Sequence, residues 1–328
     1  MTAFKTIKGV PVKTISGDQP GASPYSFEGQ LYFDSDGAGA FKFLGAVGAG
    51  SWASGGAINS TRTGMGGAGT QTAGLVFGGD APGGKFATSE EYNGSSWAEG
   101  NDLNEARGNL AGAGTQTAGL AFGGTNATAN SADTEEYNGT SWTEGGDMNS
   151  ARTQLAGLGI QTAALASGGG SPNSANSEEY NGTSWVEGNN LNTARSAVTG
   201  TGIQTAGIVF GGEAPGGDTA DSEEYNGTSY TEGNNLNTAR KFAGGFGEQT
   251  NALAVGGSVP TVGIVENYNG TSWTEVADLA TARGRSTGEG TGTLGLAVGG
   301  NIAGPGAIST ATEEWTVPSF TTKTFDTD

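Results

Sequence analysis

An aromatic residue returns at nearly constant intervals along this chain: Trp52, Trp97, Trp142, Trp185, Tyr230 and Trp273 are separated by 45, 45, 43, 45 and 43 residues. Ten residues after each stands an arginine, Arg62, Arg107, Arg152, Arg195, Arg240 or Arg283, and sixteen after each arginine a Gly-Gly pair begins. Six units of about 44 residues are therefore present. A unit this short buries its apolar face only against its neighbours, so the fold is a stack or a ring of like parts. Glycine, 63 of 328 residues, falls at fixed places in the period and is architectural rather than low-complexity filler.

Within each unit the sequence predicts four short strands. Strand a follows the arginine, as in Leu110-Ala111-Gly112-Ala113-Gly114; strand b is the apolar run before the Gly pair, as in Ala73-Gly74-Leu75-Val76-Phe77. Consecutive apolar positions suit a strand covered on both faces. Strand c ends in Glu-Glu-Tyr and strand d begins at Ser-Trp, as in Glu135-Glu136-Tyr137-Asn138-Gly139-Thr140-Ser141-Trp142. The intervening Asn-Gly tolerates positive φ at both residues and is a strong hairpin signal. Four strands per unit at this period predict an all-β, six-bladed propeller spanning 45–317. Trp52 supplies a d-strand with no a, b or c strand before it, while Glu313-Glu314-Trp315 ends the last unit without a d-strand. The N-terminal d-strand is expected to close the ring and remove the open sheet edges.

Upstream, 1–44 reads as an extended arm and a β-hairpin, in which Gly29 to Phe33 and Ala40 to Leu44 flank an Asp-Gly turn. Residues 318–328 read as a C-terminal tail. The pattern Gly-Gly, Tyr, Trp five residues on, Leu or Met, then Ala-Arg resembles the kelch repeat. More narrowly, Gly-Thr-Gln-Thr-Ala and Glu-Glu-Tyr-Asn-Gly-Thr-Ser-Trp resemble kelch-like repeat proteins of marine tailed bacteriophages. Glu28 to Asp34 is similar to a hairpin found before the variable parts of phage fibre and other virion proteins. The resemblance implies a structural, decoration or adhesive protein of the virion. No BTB or other adaptor segment accompanies the blades, so it does not imply a ubiquitin-ligase adaptor.

Charge and composition narrow the chemistry. The net charge of -19, from 14 basic against 33 acidic residues, argues against a nucleic-acid partner, whose phosphates need clustered Lys and Arg. Lys5, Lys8 and Lys13 precede the first acid, Asp18, so a short basic arm leads an acidic body. The absence of cysteine and histidine removes thiolate chemistry and the commonest general base and metal ligand. It also removes the ligands of a galactose-oxidase-like copper site, which the kelch resemblance would otherwise bring to mind. No apolar run is long enough to span a bilayer and the start lacks an apolar leader core, so neither membrane insertion nor a Sec-type signal is expected.

Each repeated residue type admits two readings. The six arginines and their companions Trp52, Trp97, Trp142, Trp185, Tyr230 and Trp273 are either a functional ring or parts of the repeat interface. Guanidinium forks match acidic ligands, but residues identical in every repeat usually serve the interface, and that reading is preferred. The Glu-Glu pairs, such as Glu90-Glu91 and Glu178-Glu179, point to opposite faces of a strand and do not converge on one atom. One carboxylate is expected to meet the arginine and the other to face water. The recurring tyrosines, from Tyr92 to Tyr268, read as interblade packing rather than sugar platforms. Asn-Gly-Ser/Thr matches a glycosylation sequon, but the turn explains it.

Divergence marks the b–c loops, which share one face of a propeller with the d–a loops. The candidate ligand or partner contacts there are Asp80, Lys85, Asn126, Asn130, Asn173, Asn176, Glu213, Asp218, Asp221 and Asn301. Binding is preferred over unconstrained drift. The expected function is a non-enzymatic virion protein without cofactor or metal. It would dock on other virion proteins through the arm, with Lys5, Lys8, Lys13, Tyr32 and Phe33 as candidate contacts, and meet a host glycan or receptor through the loops. Self-association through the arm is also open. The competing readings are a glycosidase using Asp218 and Asp221 and an intracellular kelch scaffold.

Overall fold

The computed structural model describes 50–318 apart from 171, 259 and 305, together with the backbone of the strands Thr6–Ile7, Val10–Pro11, Lys13–Ile15, Leu31–Asp34, Phe41–Phe43 and Thr324–Phe325. All regular structure among the described residues is β-strand. The chain divides into two compact units, Ser51–Thr316 on one hand and Met1–Gly50 with Val317–Asp328 on the other.

Ser51–Thr316 is a six-bladed propeller of four-stranded antiparallel sheets. In blade 2 the strands are Ala111–Thr115, Ala118–Phe122, Thr134–Tyr137 and Trp142–Glu144, paired in that order. The expected closure is present. Thr312–Thr316 of blade 6 pairs with Ser51–Ser54, Trp315 standing opposite Trp52 and Glu314 opposite Ala53. Strand b is apolar at successive positions because both faces are covered; Leu120, Ala121 and Phe122 are fully buried.

The a-strands line the axis, each against the next: Gly66–Thr70, Ala111–Thr115, Ala156–Ile160, Thr199–Ile203, Gly244–Glu248 and Thr287–Thr291, which returns to the first. Their approach leaves no room for side chains at one register position. A Cβ on Gly112 would lie 2.4 Å from the Gly67 carbonyl oxygen, and one on Gly288 would lie 2.8 Å from the Gly245 nitrogen. The apolar core is correspondingly split into clusters between blades. Trp185 of blade 3 packs 4.8 Å from Phe122 of blade 2 and 5.0 Å from its own Tyr180.

In the other unit, Lys13–Ile15 lies parallel to Leu31–Asp34, which pairs with Phe41–Phe43 as the expected hairpin. Thr324–Phe325 adds to the far edge of Phe41–Phe43, so the C-terminal segment is a strand of this sheet. Thr6–Ile7 and Val10–Pro11 also pair, where the sequence reading had only an extended arm; β-branched Thr, Ile and Val supply the local preference. Lys5 and Lys8 lie outside the described residues, and of Lys13, Tyr32 and Phe33 only the backbone is described.

One buried group is out of keeping with the seam it fills. At equivalent places on the a-strands stand Ala68, Ala113, Leu158, Thr201, Phe246 and Glu289, each directed at the following blade. Glu289 is 3% exposed and is received by blade 1, where Gly67 and Gly74 leave space for it. Its Oε2 accepts the Leu75 N–H at 3.2 Å, while Oε1 has no partner. Burial pushes its carboxyl well above the usual range, which favours the neutral acid in the folded protein. A pKa raised on folding leaves the group's contribution intact below the unfolded value, about 4.3. That contribution is lost as pH rises toward the folded value. Glu289→Gln, neutral at every pH, should therefore match the parent in urea midpoint at pH 4 and exceed it at pH 8; a constant difference across that range would contradict burial as the acid.

Candidate functional site

Each of the six repeat arginines is enclosed. Arg107, fully buried, donates from Nη2 to Glu135 Oε1 at 2.8 Å and from Nη1 to the carbonyls of Gly123 at 2.9 Å and Asp133 at 2.6 Å. Arg62–Glu90, Arg152–Glu178, Arg195–Glu223 and Arg240–Glu266 repeat the pair at 2.6, 2.9, 2.8 and 3.1 Å, and Arg283–Glu313 completes the set. The second oxygen of Glu135 accepts the backbone and side-chain N–H groups of Asn104 at 2.6 and 3.0 Å. Each of the six thus meets a blade glutamate.

The second carboxylate of each pair departs from expectation. Rather than facing water, it accepts the phenol of the next blade: Tyr137 donates to Glu91 at 2.5 Å, Tyr180 to Glu136 at 2.6 Å, Tyr268 to Glu224 at 2.5 Å and Tyr92 to Glu314 at 2.5 Å, with Tyr225 bonded to Glu179. A hydroxyl aimed across the interface draws the half-buried carboxylate inward, and burial followed by that bond pushes the phenols upward. Blade 6 has Trp315 in place of the tyrosine, and blade 5 correspondingly has Asn267 in place of the glutamate. The indoles also bond across blades, Trp97 to Thr312 Oγ1 and Trp185 to Thr134 Oγ1, each at 2.9 Å. Trp52, on the closing strand, donates to the Ala277 carbonyl at 2.9 Å.

The b–c loops carry more structure than the sequence implied. Asp80–Ala81 pairs with Gly84–Lys85 and Glu213–Ala214 with Gly217–Asp218, while Asn301–Ile302 pairs back on Arg283–Gly284. Many of the candidate residues serve these loops. Asp80 pairs with Lys85; Lys241 holds Glu213 at 2.6 Å and Asp218 at 3.1 Å. Asn126 caps its own turn by accepting the N–H groups of Thr128 and Ala129, and Asn130 bridges to Thr125. Asn173 donates to the Glu213 carbonyl at 2.7 Å, and the Asn176 carbonyl receives Arg152. Asp221 takes Asn235 on its carboxylate at 3.1 Å and Arg195 on its carbonyl. Asp218 and Asp221 therefore have separate partners. A carboxyl contact does form in blade 2, where the hydrogen bond between Glu105 and Asp133 pushes Glu105 up and holds Asp133 down.

A ring that the loop reading missed surrounds the mouth of the axis on this same face. Two residues after each repeat arginine stand Gly64, Asn109, Gln154, Ala197, Phe242 and Arg285, with φ of 58, 52, 56, 52, 55 and 55°. Outside glycine and asparagine this left-handed conformation is an outlier, costing roughly 1–2 kcal/mol per residue. It is imposed by hydrogen bonds from blade to blade. The N–H of Asn109 donates to Gly64 at 2.6 Å, that of Gln154 to Asn109 at 2.9 Å and that of Phe242 to Ala197 at 3.0 Å. Arg285 donates to Phe242 at 2.8 Å and Gly64 to Arg285 at 2.9 Å. These residues rim a funnel of about 140 Å³. The signal was in the sequence: six aligned positions carry six different residues beside an invariant arginine.

Arg285 is the most unusual member. Its guanidinium lies 3.8 Å from the centre of the Phe242 ring, and Nη1 reaches over the side-chain-less Gly64 to Asn109 Oδ1 at 2.9 Å. Asn109 in turn donates to Asp80 at 2.6 Å. Among the described residues the other arginines are all ion-paired, and Arg285 has no carboxylate within 4 Å. No model of a known protein family and no curated protein sequence matches this chain.

Two substitutions separate the constant residues from the variable ones. Arg107→Ala leaves Glu135 charged and buried without its partner, and denaturant titration should show a loss of about 3–5 kcal/mol. Gln154→Gly relieves the left-handed strain at a smaller entropic cost, and the same titration should show a gain of about 0.5–1 kcal/mol.

Proposed function

We propose that this chain is a non-enzymatic, kelch-like structural protein of a tailed-phage virion, which presents the loop face of its propeller to a host-surface glycan or a neighbouring protein. The observation that carries this reading is the division of labour between constant and changing residues. The arginines, paired glutamates, tyrosines and most of the tryptophans that recur are enclosed at blade interfaces, whereas the residues that rim the mouth and build the adjoining loops differ from blade to blade. Divergence among the exposed loops of one face of a rigid scaffold is the pattern of a binding surface. The resemblance of the repeat and of the hairpin around Leu31–Asp34 to phage proteins supplies the setting. Docking on the particle falls to the N-terminal segment with Lys5, Lys8 and Lys13, whose basic charge complements acidic neighbours and leaves the propeller free.

A glycosidase on the same scaffold is the second reading. The Glu105–Asp133 contact favours it in so far as it pushes one carboxyl up and holds the other down. Hydrolases that use paired acids hold them about 5–9.5 Å apart around the scissile bond, which a direct hydrogen bond does not provide. An intracellular scaffold is the third.

Two measurements on the full chain test the proposal. Mass spectrometry of purified particles should contain the chain, with cross-links from its first lysines to another virion protein. Labelled protein should be retained on host envelopes, with Gln154→Trp at the mouth weakening retention by about tenfold and Thr183→Trp on the opposite face leaving it unchanged. Recovery in host cytosol without particles, or equal retention of both variants, would overturn it.

A further inference from the structure

Beside the mouth ring runs a groove of about 720 Å³ between the b–c loops of blades 5, 6 and 1, and Phe242 with Arg285 forms the wall between the two. We infer that this groove binds a carboxylate-bearing sugar, a uronic-acid unit of a surface polysaccharide, with Arg285 as the carboxylate receptor. The inference rests on the binding role proposed above and assigns it a place and a chemistry.

The conformation of Arg285 is the first support. Gly64 occupies the equivalent position of blade 1 with φ 58°, against 55° at Arg285, so the fold is satisfied there by glycine. An arginine held in a left-handed backbone costs stability and returns no ion pair to the scaffold, which is the situation in which strain is retained for function. Its availability is the second. Stacking on Phe242 and the single bond to Asn109 fix the plane of the guanidinium while leaving N–H donors for a ligand, and a planar fork is matched to a carboxylate. Asp80 acts on Arg285 through its charge alone, because one of its oxygens is taken by Lys85 and the other by Asn109.

The groove itself selects among anions. Its volume lies within the range of about 300–1,000 Å³ found for small-ligand sites. Ser258 and Asn301 bring hydroxyl and amide groups to its lining, interleaved with Ala81, Pro82 and Ile308. That alternation suits a pyranose, which presents hydroxyls at its edge and C–H groups on its faces. A net charge of -19 repels a dense polyanion, so a single carboxylate on a largely neutral chain is favoured over polyphosphate or a run of acidic residues.

The test is calorimetry of the full chain with trisaccharides carrying one terminal galacturonate or glucuronate on two neutral hexoses, their wholly neutral hexose counterparts, and triglutamate. At least one uronate should bind about tenfold or more tighter than its neutral counterpart and than triglutamate. Arg285→Gly should weaken uronate binding by a similar factor with an unchanged or higher thermal midpoint, because glycine fits the backbone, and Arg285→Lys should restore part of it. Absence of binding to both uronates, equal affinity for neutral sugars, preference for triglutamate, or unchanged binding by Arg285→Gly would each overturn the inference. If Arg285→Gly and the parent are retained equally on host envelopes, the uronate site falls while the propeller's binding role stands. Loss of envelope retention by the parent removes the broader reading.

Discussion

Everything in the propeller hangs on a buried guanidinium at the head of each blade. One arginine ties together three pieces of chain: the loop that carries it, the glycine turn after strand b, and the first glutamate of strand c. Desolvation makes such a pair a poor source of net stability, and well-packed apolar groups often match it. Its worth lies in direction. A carboxylate that must meet both an arginine and an asparagine fixes where strand c begins, and with it the face on which the following tyrosine and the partner glutamate emerge. Packing between blades then proceeds from a register already set.

Much of this was legible in the sequence. The period, the Asn-Gly turns and the orphan d-strand around Trp52 led to six blades and to their closure, because those features obey local rules of turn chemistry and alternation. The Glu-Tyr bond was harder to read, since its partners lie in successive units and nothing within one unit announces them. A clue existed in the paired exception, Asn267 with Trp315, where both members of the bond change together. The mouth ring escaped for another reason. Gln154, Ala197, Phe242 and Arg285 are not residues that local preference assigns to positive φ, and their conformation is imposed by hydrogen bonds between blades. The buried acid at 289 is similar: a glutamate in a strand reads as a surface residue until the cavity left by Gly67 and Gly74 is known.

The two kinds of position answer to different constraints. Where a residue meets the neighbouring blade, a change must be matched by a change in the next unit, and six copies hold one another in place. At the mouth the backbone ring supplies the support, so the scaffold itself asks for no particular side chain there. Gly64 and Arg285 occupy the same conformation with nothing in common between their side chains. The scaffold thus offers six variable places around one axis, at the cost of a strained backbone in four of them.

The closing strand has a kinetic consequence. Ser51–Ser54 is among the first parts of the propeller to be synthesised, and its partner, Thr312–Thr316, is the last. During translation blades 1 to 5 can form in turn on local hairpin contacts, whereas blade 6 needs a contact spanning nearly the whole chain, the slowest kind to form. Until then the outer edge of that blade lacks its fourth strand and Trp315 lacks Trp52, its neighbour at 5.3 Å. Ring closure is therefore a checkpoint on completeness: a chain truncated anywhere before Thr312 leaves Ser51–Ser54 without its strand partner and shows quality-control proteases an open end.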